Sequence, residues 1–258
     1  MTELFNMKLR AIRRDRAANI GPELFLAERV FEDCLDRIAI MKRKFERALL
    51  IGCLDPEWPR RLRTVAQEVE ARDPGPSLAA NALGKPIIED AWEPTLEAHD
   101  LVVAIGTLDT VNDLPLALRL IRCSMRSDGL IIGAFSGGDT LRQLRSAMLA
   151  ADALLGIATA HVHPRIEASA LSPLLIDAGF VKPVVDVERV QASYPSLERL
   201  VSDLRAMGAT NLLNSRSPPL TRAQMNAAAR SFADLGNGGR TTETFEILHF
   251  AAWTPAIG

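Results

Sequence analysis

Five short stretches, ALLIG, RTVAQEVE, KPIIED, HDLVVAIG and DGLIIGAF, recur between helical patterns within the first 136 residues of this chain. Each is apolar or β-branched in character and is bounded by turn residues or helical patterns, as strands are. Strands that alternate with helices are joined by crossovers, and that connectivity builds a parallel sheet with helices packed on it. With 258 residues, 48% of them hydrophobic, the chain can bury a substantial core around such a sheet, and one domain over 1–258 is the expectation.

The helical patterns are equally specific. Leu24, Phe25, Val30, Phe31, Leu35 and Ile38 recur near helical spacing over residues 23–40, ahead of the KRKFER stretch and the first strand. Over 113–125, Asp113 is placed to cap free backbone N–H groups, Pro115 suits a first turn, and Leu114, Leu118, Ile121 and Met125 share one side. A further helix is predicted from about Asp139 or Thr140, turning Leu141, Leu144 and Met148 inward after Gly137 and Gly138. VKPVVDVE reads as a strand, a helix from about Ser196 carries Leu197, Leu200, Val201, Leu204 and Met207, and TFEILHFAAW reads as the last strand. Pro218 and Pro219 punctuate the connection before it.

Charge excludes some functions. Lys and Arg number 30 against 32 acidic residues, a net −2 that gives no global reason to expect nucleic-acid binding. Lys8, Arg10, Arg13, Arg14 and Arg16 crowd the start, where the favoured reading is an exposed helix face, a solvated charged surface. No apolar run reaches the length of a membrane span and no secretory core is present, so the expectation is a cytoplasmic protein, free or peripheral to the membrane. Cys34, Cys53 and Cys123, odd in number and far apart, fit a reducing compartment, most of them at core positions.

The chemistry-bearing residues cluster after the strands. ALLIGCLDPEW occupies the first strand-to-helix junction, where dinucleotide and S-adenosylmethionine folds bring bare backbone to a ligand, yet only Gly52 of the expected glycines is present. An ordinary turn explains a single glycine there. Asp73 stands 21 positions after Gly52, near the spacing of an acceptor for ribose hydroxyls, and also fits a turn before Pro74. Glu89 and Asp90 close KPIIED, placed either to receive an adenine amino group or to be solvated at a strand end. In AIGTLDTVNDLP, which follows the fourth strand, Asp109, Asn112 and Asp113 stand out; Asp113 is explained as a cap, leaving Asp109 as the candidate catalytic residue. Gly52, Cys53 and Ile105 complete the expected cofactor-contact set with Asp73, Glu89 and Asp90. His161 and His163 lack a third ligand, so no metal site is expected; His99 reads as surface polarity and His249 as packing. The absence of GxSxG, HExxH and Walker patterns argues against serine hydrolases, zincins and nucleotide triphosphatases.

Across DLVVAIGTLDTVNDLPLALRLIRCSMRSDGLIIGAFSGGDTLRQLR, with VNDLP, DGL and GGDTL in order, the sequence resembles the S-adenosylmethionine-dependent methyltransferase-like family of mitochondrial complex I assembly factor 5 and its bacterial relatives. FNMKLRAIRRDRAA, YPSLERLVSDLRAMGATN and TFEILHFAAW extend the similarity to both ends. The resemblance implies an α/β fold of the class I methyltransferase (Rossmann-like) type, a seven-stranded sheet with helices on both faces and a helical cover. It also implies an N-terminal helical segment over 1–45 and an insertion over 190–240 that contributes to the cover. Asp73, and with it Glu89 and Asp90, would take the cofactor-contact positions, and S-adenosylmethionine is the cofactor implied. The implied substrate is a protein, such as an iron–sulfur subunit of complex I. Where the family reads approximately DLGCGxG, this chain reads LIGCLDP, with Leu50, Leu54 and Pro56 at key positions. Leu54 removes a close backbone approach, and Pro56 fixes φ and deletes a donor. Three functions follow from the resemblance: protein-directed methyl transfer, a non-catalytic pseudoenzyme scaffold, and arginine-hydroxylase-like chemistry. A nicotinamide oxidoreductase is disfavoured by the same missing glycines.

Overall fold

The computed structural model describes residues 3–156, 158–215 and 219–256, so Pro218 lies outside the described residues. The chain opens with helices α1 (Met7–Ile20) and α2 (Phe25–Ile40), then runs through β1 (Phe45–Ile51), α3 (Trp58–Leu62), β2 (Ala66–Asp73), α4 (Pro76–Asn81), β3 (Lys85–Pro86) and β4 (His99–Ile105). It continues with α5 (Leu114–Ser124), β5 (Met125–Ser136), α6 (Arg142–Ala153), α7 (Ala168–Asp177), β6 (Val181–Tyr194), α8 (Leu197–Ala206), α9 (Arg222–Asp234) and β7 (Thr241–Trp253).

The strands form one seven-stranded sheet in the order β3-β2-β1-β4-β5-β7-β6. The first five are parallel and β7 is antiparallel to both of its neighbours, β5 and β6. Strand order reverses between β1 and β4, and at that point open α/β sheets leave a crevice at the carboxyl ends of their strands. The side-chain period of two divides the central strands between two cores. Ala48, Leu50, Leu101 and Val103 pack with α2 through Phe31 and Ile38. Leu49, Ile51, Val102 and Ala104 pack with α5 and α7 through Leu118, Ile121, Leu171 and Leu175. A third core joins Leu144 and Met148 of α6 to Leu200 and Leu204 of α8 and Phe232 of α9. The two helices α8 and α9 lie in the chain between β6 and β7.

The local signals hold where they had a mechanism. Asp113 Oδ1 accepts from Leu116 N at 2.8 Å at the start of α5, and the Ser196 side chain accepts from Arg199 N at the start of α8. The GGDTL turn ties β5 to β7: Thr140 Oγ1 donates to Glu246 O and accepts from Glu246 N, both at 3.0 Å, and Leu141 N donates to Thr244 O. KPIIED contributes only Lys85 and Pro86 to the sheet as β3. Proline has no N–H to give to a ladder, which suits this short edge strand.

Two sequence expectations are corrected here. Arg10 and Arg14 are buried, so the basic N-terminal helix is not a solvated charged face throughout, although Lys8 is exposed. His99, expected to be surface polarity, is 1% exposed and donates from Nε2 to Glu70 Oε2 at 3.3 Å. His249 is buried, as packing required, with its ring between Asp33 and Glu188. Cys34 and Cys53 are buried and Cys123 is exposed. Among the described residues no helix is long and apolar enough to cross a membrane.

The His99 hydrogen bond, helped by Arg72, holds the Glu70 carboxyl down at about 2. A depressed carboxyl contributes stability that is present above its unfolded value of 4.5 and is lost as pH falls through the folded one. Unfolding free energy is therefore expected to decline between pH 4.5 and 2 in the wild type and to decline less steeply in Glu70→Gln. Urea titrations monitored by circular dichroism across that range measure both slopes; equal slopes would exclude the assignment.

Candidate functional site

The crevice at the strand ends is walled by the exits of β1, β2, β3 and β4, and α1 lies across it. At the β1 exit, Gly52 has φ +84°. A Cβ there would stand 2.1 Å from the Ile105 carbonyl oxygen, so no other residue passes this point without displacing β4. Beyond it Cys53 is buried, its Sγ donates to Asp55 O at 3.2 Å, and burial raises its thiol pKa. Leu54 packs into the core on the α2 side of the sheet, and Asp55 Oδ1 accepts from Glu57 N at 2.8 Å to close the turn into α3.

Asp73, at the end of β2, is fully buried. Its Oδ1 accepts from Arg14 Nε and Gly75 N, both at 2.7 Å; its Oδ2 accepts from Arg14 Nη2 at 2.5 Å and Cys53 N at 2.7 Å. Four donors meet about four acceptor sites, so the carboxylate is saturated. Burial alone would lower the Arg14 pKa, and the Asp73 carboxylate beside it reverses that and holds it raised. Glu89, also fully buried, receives the other fork of α1: Arg10 Nη1 to Oε2 at 2.6 Å and Nη2 to Oε1 at 2.8 Å, with Nη2 also donating to Thr107 O at 2.6 Å.

Asp73 and Glu89, with Gly52 and Cys53 beside them, thus converge on one crevice, and each acid meets a guanidinium of the chain itself. Asp90 faces elsewhere: its Oδ2 accepts from Asn112 N and Asp113 N, both at 2.9 Å, ahead of α5. Ile105 is buried at the end of β4, in the core on the α2 side. Asp109 sits in the short 3₁₀ turn Leu108–Thr110, with Oδ2 3.9 Å from Arg165 Nε. Burial raises the Asp109 carboxyl pKa despite Arg165, Arg10 and Arg14 nearby.

The residues missed from sequence are Arg10, Arg14 and Arg165; Asn112 stood out in AIGTLDTVNDLP without a role. Arg10 and Arg14 stand four apart, with Ala17 three further on, and all three are buried along α1. Arginines at that spacing beside a small residue were a legible signal for an inward stripe. Asn112, the Asn of VNDLP, accepts from Phe5 N at 2.8 Å and donates to Phe5 O at 3.1 Å, tying the N-terminus to the β4 exit. The Phe5 segment also pairs with Leu213, Asn6 N donates to Leu212 O, and Gly208 packs against Arg14. His161 reaches Asp152 and Thr159, whereas His163 accepts from Leu212 N at 2.7 Å. Among the described residues no group of three or more His, Cys, Asp and Glu side chains is arranged to hold a metal ion.

Beneath α1 the crevice retains a cavity of about 70 Å³. A larger open groove of about 480 Å³ lies outside it, lined by Pro74, Pro86, Ile88 and Trp92 among others, and neither Asp73 nor Glu89 reaches its lining.

No protein-family model matches the chain. It is 31% identical to the mouse (Mus musculus) protein named arginine-hydroxylase NDUFAF5, mitochondrial, over 97% of this chain and 77% of that protein. It is 28% identical to a malonyl acyl-carrier-protein O-methyltransferase of Xylella fastidiosa, over 85% of this chain and 83% of the enzyme. Among solved structures, the N-methyltransferase NodS from Bradyrhizobium japonicum, in complex with S-adenosyl-L-homocysteine, matches with a TM-score of 0.51 and 14% identity over 95% of this chain and 98% of that one. The fold is that of the class I S-adenosylmethionine methyltransferases.

The saturation of Asp73 makes Arg14 expensive to remove. Arg14→Ala leaves a buried carboxylate without its counter-ion and is expected to lower unfolding free energy by about 3–5 kcal/mol in urea denaturation. Arg14→Lys, which keeps the charge and loses the fork, is expected to recover only part of that loss.

Proposed function

Because this chain belongs to the methyltransferase-like family of the arginine-hydroxylase NDUFAF5, we propose that it acts on a protein partner in assembly of respiratory complex I without transferring a methyl group from S-adenosylmethionine. The observation that carries this reading is the double occupation of the crevice by Arg14 on Asp73 and Arg10 on Glu89. In this fold a ribose diol needs a free acceptor after β2, and Asp73 has none left. The β1 exit adds a second obstacle. It carries one glycine where the ligand's approach calls for several, and the cavity under α1, about 70 Å³, is far below the roughly 300 Å³ at which small-molecule pockets begin. The residues present do not fit the cofactor.

Within this reading residues 190–240 serve as the cover and 1–45 as the N-terminal segment that closes the crevice. The Phe5–Leu213 pairing supports treating the two as one surface for the partner. The partner class implied by the family resemblance is an iron–sulfur subunit of complex I. Hydroxylation of a partner arginine, the activity in the mouse relative's name, is the second reading. It is favoured by the 97% of this chain that the likeness to that protein covers, and it needs no methyl donor.

Calorimetric titration of the purified, ligand-stripped chain with S-adenosylmethionine and S-adenosylhomocysteine tests the proposal. No saturable heat is expected into the millimolar range. Saturable binding that Asp73→Ala abolishes would overturn it. Deletion of the gene in its host should reduce the assembled complex I band on native gels, and an unchanged band would remove the assembly role.

A further inference from the structure

Arg165 differs from the two arginines of α1. The forks of Arg10 and Arg14 are consumed by Glu89, Asp73 and the Thr107 carbonyl. The Arg165 side chain is only 4% exposed, its Nε is buried without a hydrogen-bond partner, and its Nη1 reaches the His163 carbonyl at 3.4 Å. Asp109 Oδ2 is 3.9 Å from that Nε, inside Coulomb range and beyond hydrogen-bond range. A buried donor left unmade costs about 1–3 kcal/mol, more for a charged group, so the position favours whatever acceptor can reach it.

The about 70 Å³ cavity beneath α1 is lined by Arg165, Asp109, His163, Ser136, Thr110 and Gly106 together with both α1 arginines. At roughly 10–15 Å³ per water position, it has room for about five water-sized atoms. His163 Nε2 accepts from Leu212 N, so the neutral ring carries its proton on Nδ1 as a donor. Burial, with Arg165 and Arg13 nearby, holds the His163 pKa down at about 3, so it brings no second charge.

We propose that this cavity is a binding site for a small oxyanion, a carboxylate or phosphate of about four or five heavy atoms, held by Arg165 and accompanied by a proton on Asp109. The ligand supplies the acceptor that Arg165 Nε lacks, and protonated Asp109 turns from a competing anion into a donor. The size excludes anything as large as a nucleoside cofactor, so the site is independent of the function proposed above. Asp109 faces Arg165 and His163 from the segment before α7, and Arg10 and Arg14 from α1; the charge of Arg145 on α6 also acts on Arg165, and that of Arg13 on α1 acts on His163. Guanidinium groups hold their charge in proteins and burial keeps His163 neutral at pH 6–8, so with acetate, which stays ionised there, Asp109 is the group left to take up the proton.

Binding is read by calorimetry and by thermal unfolding of the full chain with sodium acetate and sodium phosphate, each against sodium chloride at equal ionic strength, at pH 6, 7 and 8. Saturable binding is expected from acetate, phosphate or both, and comparing the two separates a carboxylate from a phosphate ligand. The proton linkage is read with acetate alone, because phosphate itself titrates in this window; uptake of one proton then weakens apparent affinity about tenfold for each pH unit above the Asp109 pKa. Asp109→Asn is expected to bind more tightly than wild type and to lose that slope, because the competing charge is gone. Arg165→Gln is expected to lose saturable binding altogether; should it fail to fold, the Asp109→Asn comparison alone decides. No saturable response in either wild type or Asp109→Asn, or an equal response to chloride, would overturn the site, as would full binding by folded Arg165→Gln.

Discussion

The fork between Arg14 and Asp73 is the interaction on which the crevice depends. One carboxylate gathers the exit of β1 through Cys53 N, the turn after β2 through Gly75 N, and α1 through two guanidinium nitrogens. Such a pair is not a simple gain in stability, because two charges have been taken out of water and their attraction only offsets that cost. What it confers is position. With Arg10 on Glu89 one turn earlier, α1 has a single rotation and register at which both forks close, and that register brings Phe5 to Asn112 and Leu213.

This placement gives the altered loop a physical account. A glycine-rich loop is required where a ligand must approach bare backbone, and a chain whose own guanidinia fill that space is released from the requirement. Leu54 then faces the α2 core, and Asp55 closes a tight turn toward α3. Asp73 and Glu89 remain necessary for a different reason: without them two arginines would be buried unpaired. Retained acids and lost glycines are thus two sides of one arrangement, in which the crevice satisfies its polar groups from within. The relatives bear names of different activities on this architecture, a hydroxylase and an O-methyltransferase, in keeping with function residing in the site rather than the sheet.

The sheet was legible because its central strands are buried on both faces and read as continuous apolar runs between turn signals, as VVAI and LIIGAF do. The caps at Asp113 and Ser196 were legible because side-chain chemistry at those positions has one local use. The site was half legible. Asp73 was picked out by its spacing from Gly52 and Glu89 by its place at a strand end, both as cofactor contacts, whereas their arginine partners lie 59 and 79 residues away on α1, and no local pattern pairs Arg14 with Asp73 or Arg10 with Glu89. A basic cluster at a chain start reads first as a solvated face, and only the spacing of Arg10, Arg14 and Ala17 pointed inward. His99 was misjudged for a related reason: a polar residue at a strand start is buried here because Glu70 on β2 accepts a hydrogen bond from it across the intervening β1.

Closure of the crevice also sets a thermodynamic condition on any ligand that would use Asp73. Arg14 must first leave, and the apparent affinity falls by the fraction of molecules in which it has left. An opening cost of only about 4 kcal/mol leaves roughly one molecule in a thousand competent. A ligand offering neutral hydroxyls recovers little of this, because it replaces charge-assisted forks with ordinary hydrogen bonds. A ligand offering its own cation to Asp73 exchanges like for like. A ligand at Arg165 displaces no existing fork, since its Nε stands without a hydrogen bond in the closed state. The two halves of the crevice therefore respond differently to the same closure. The Asp73–Glu89 half is locked by its saturation, and the Arg165–Asp109 half keeps unmet hydrogen-bonding capacity because Asp109, at 3.9 Å, does not complete the pair.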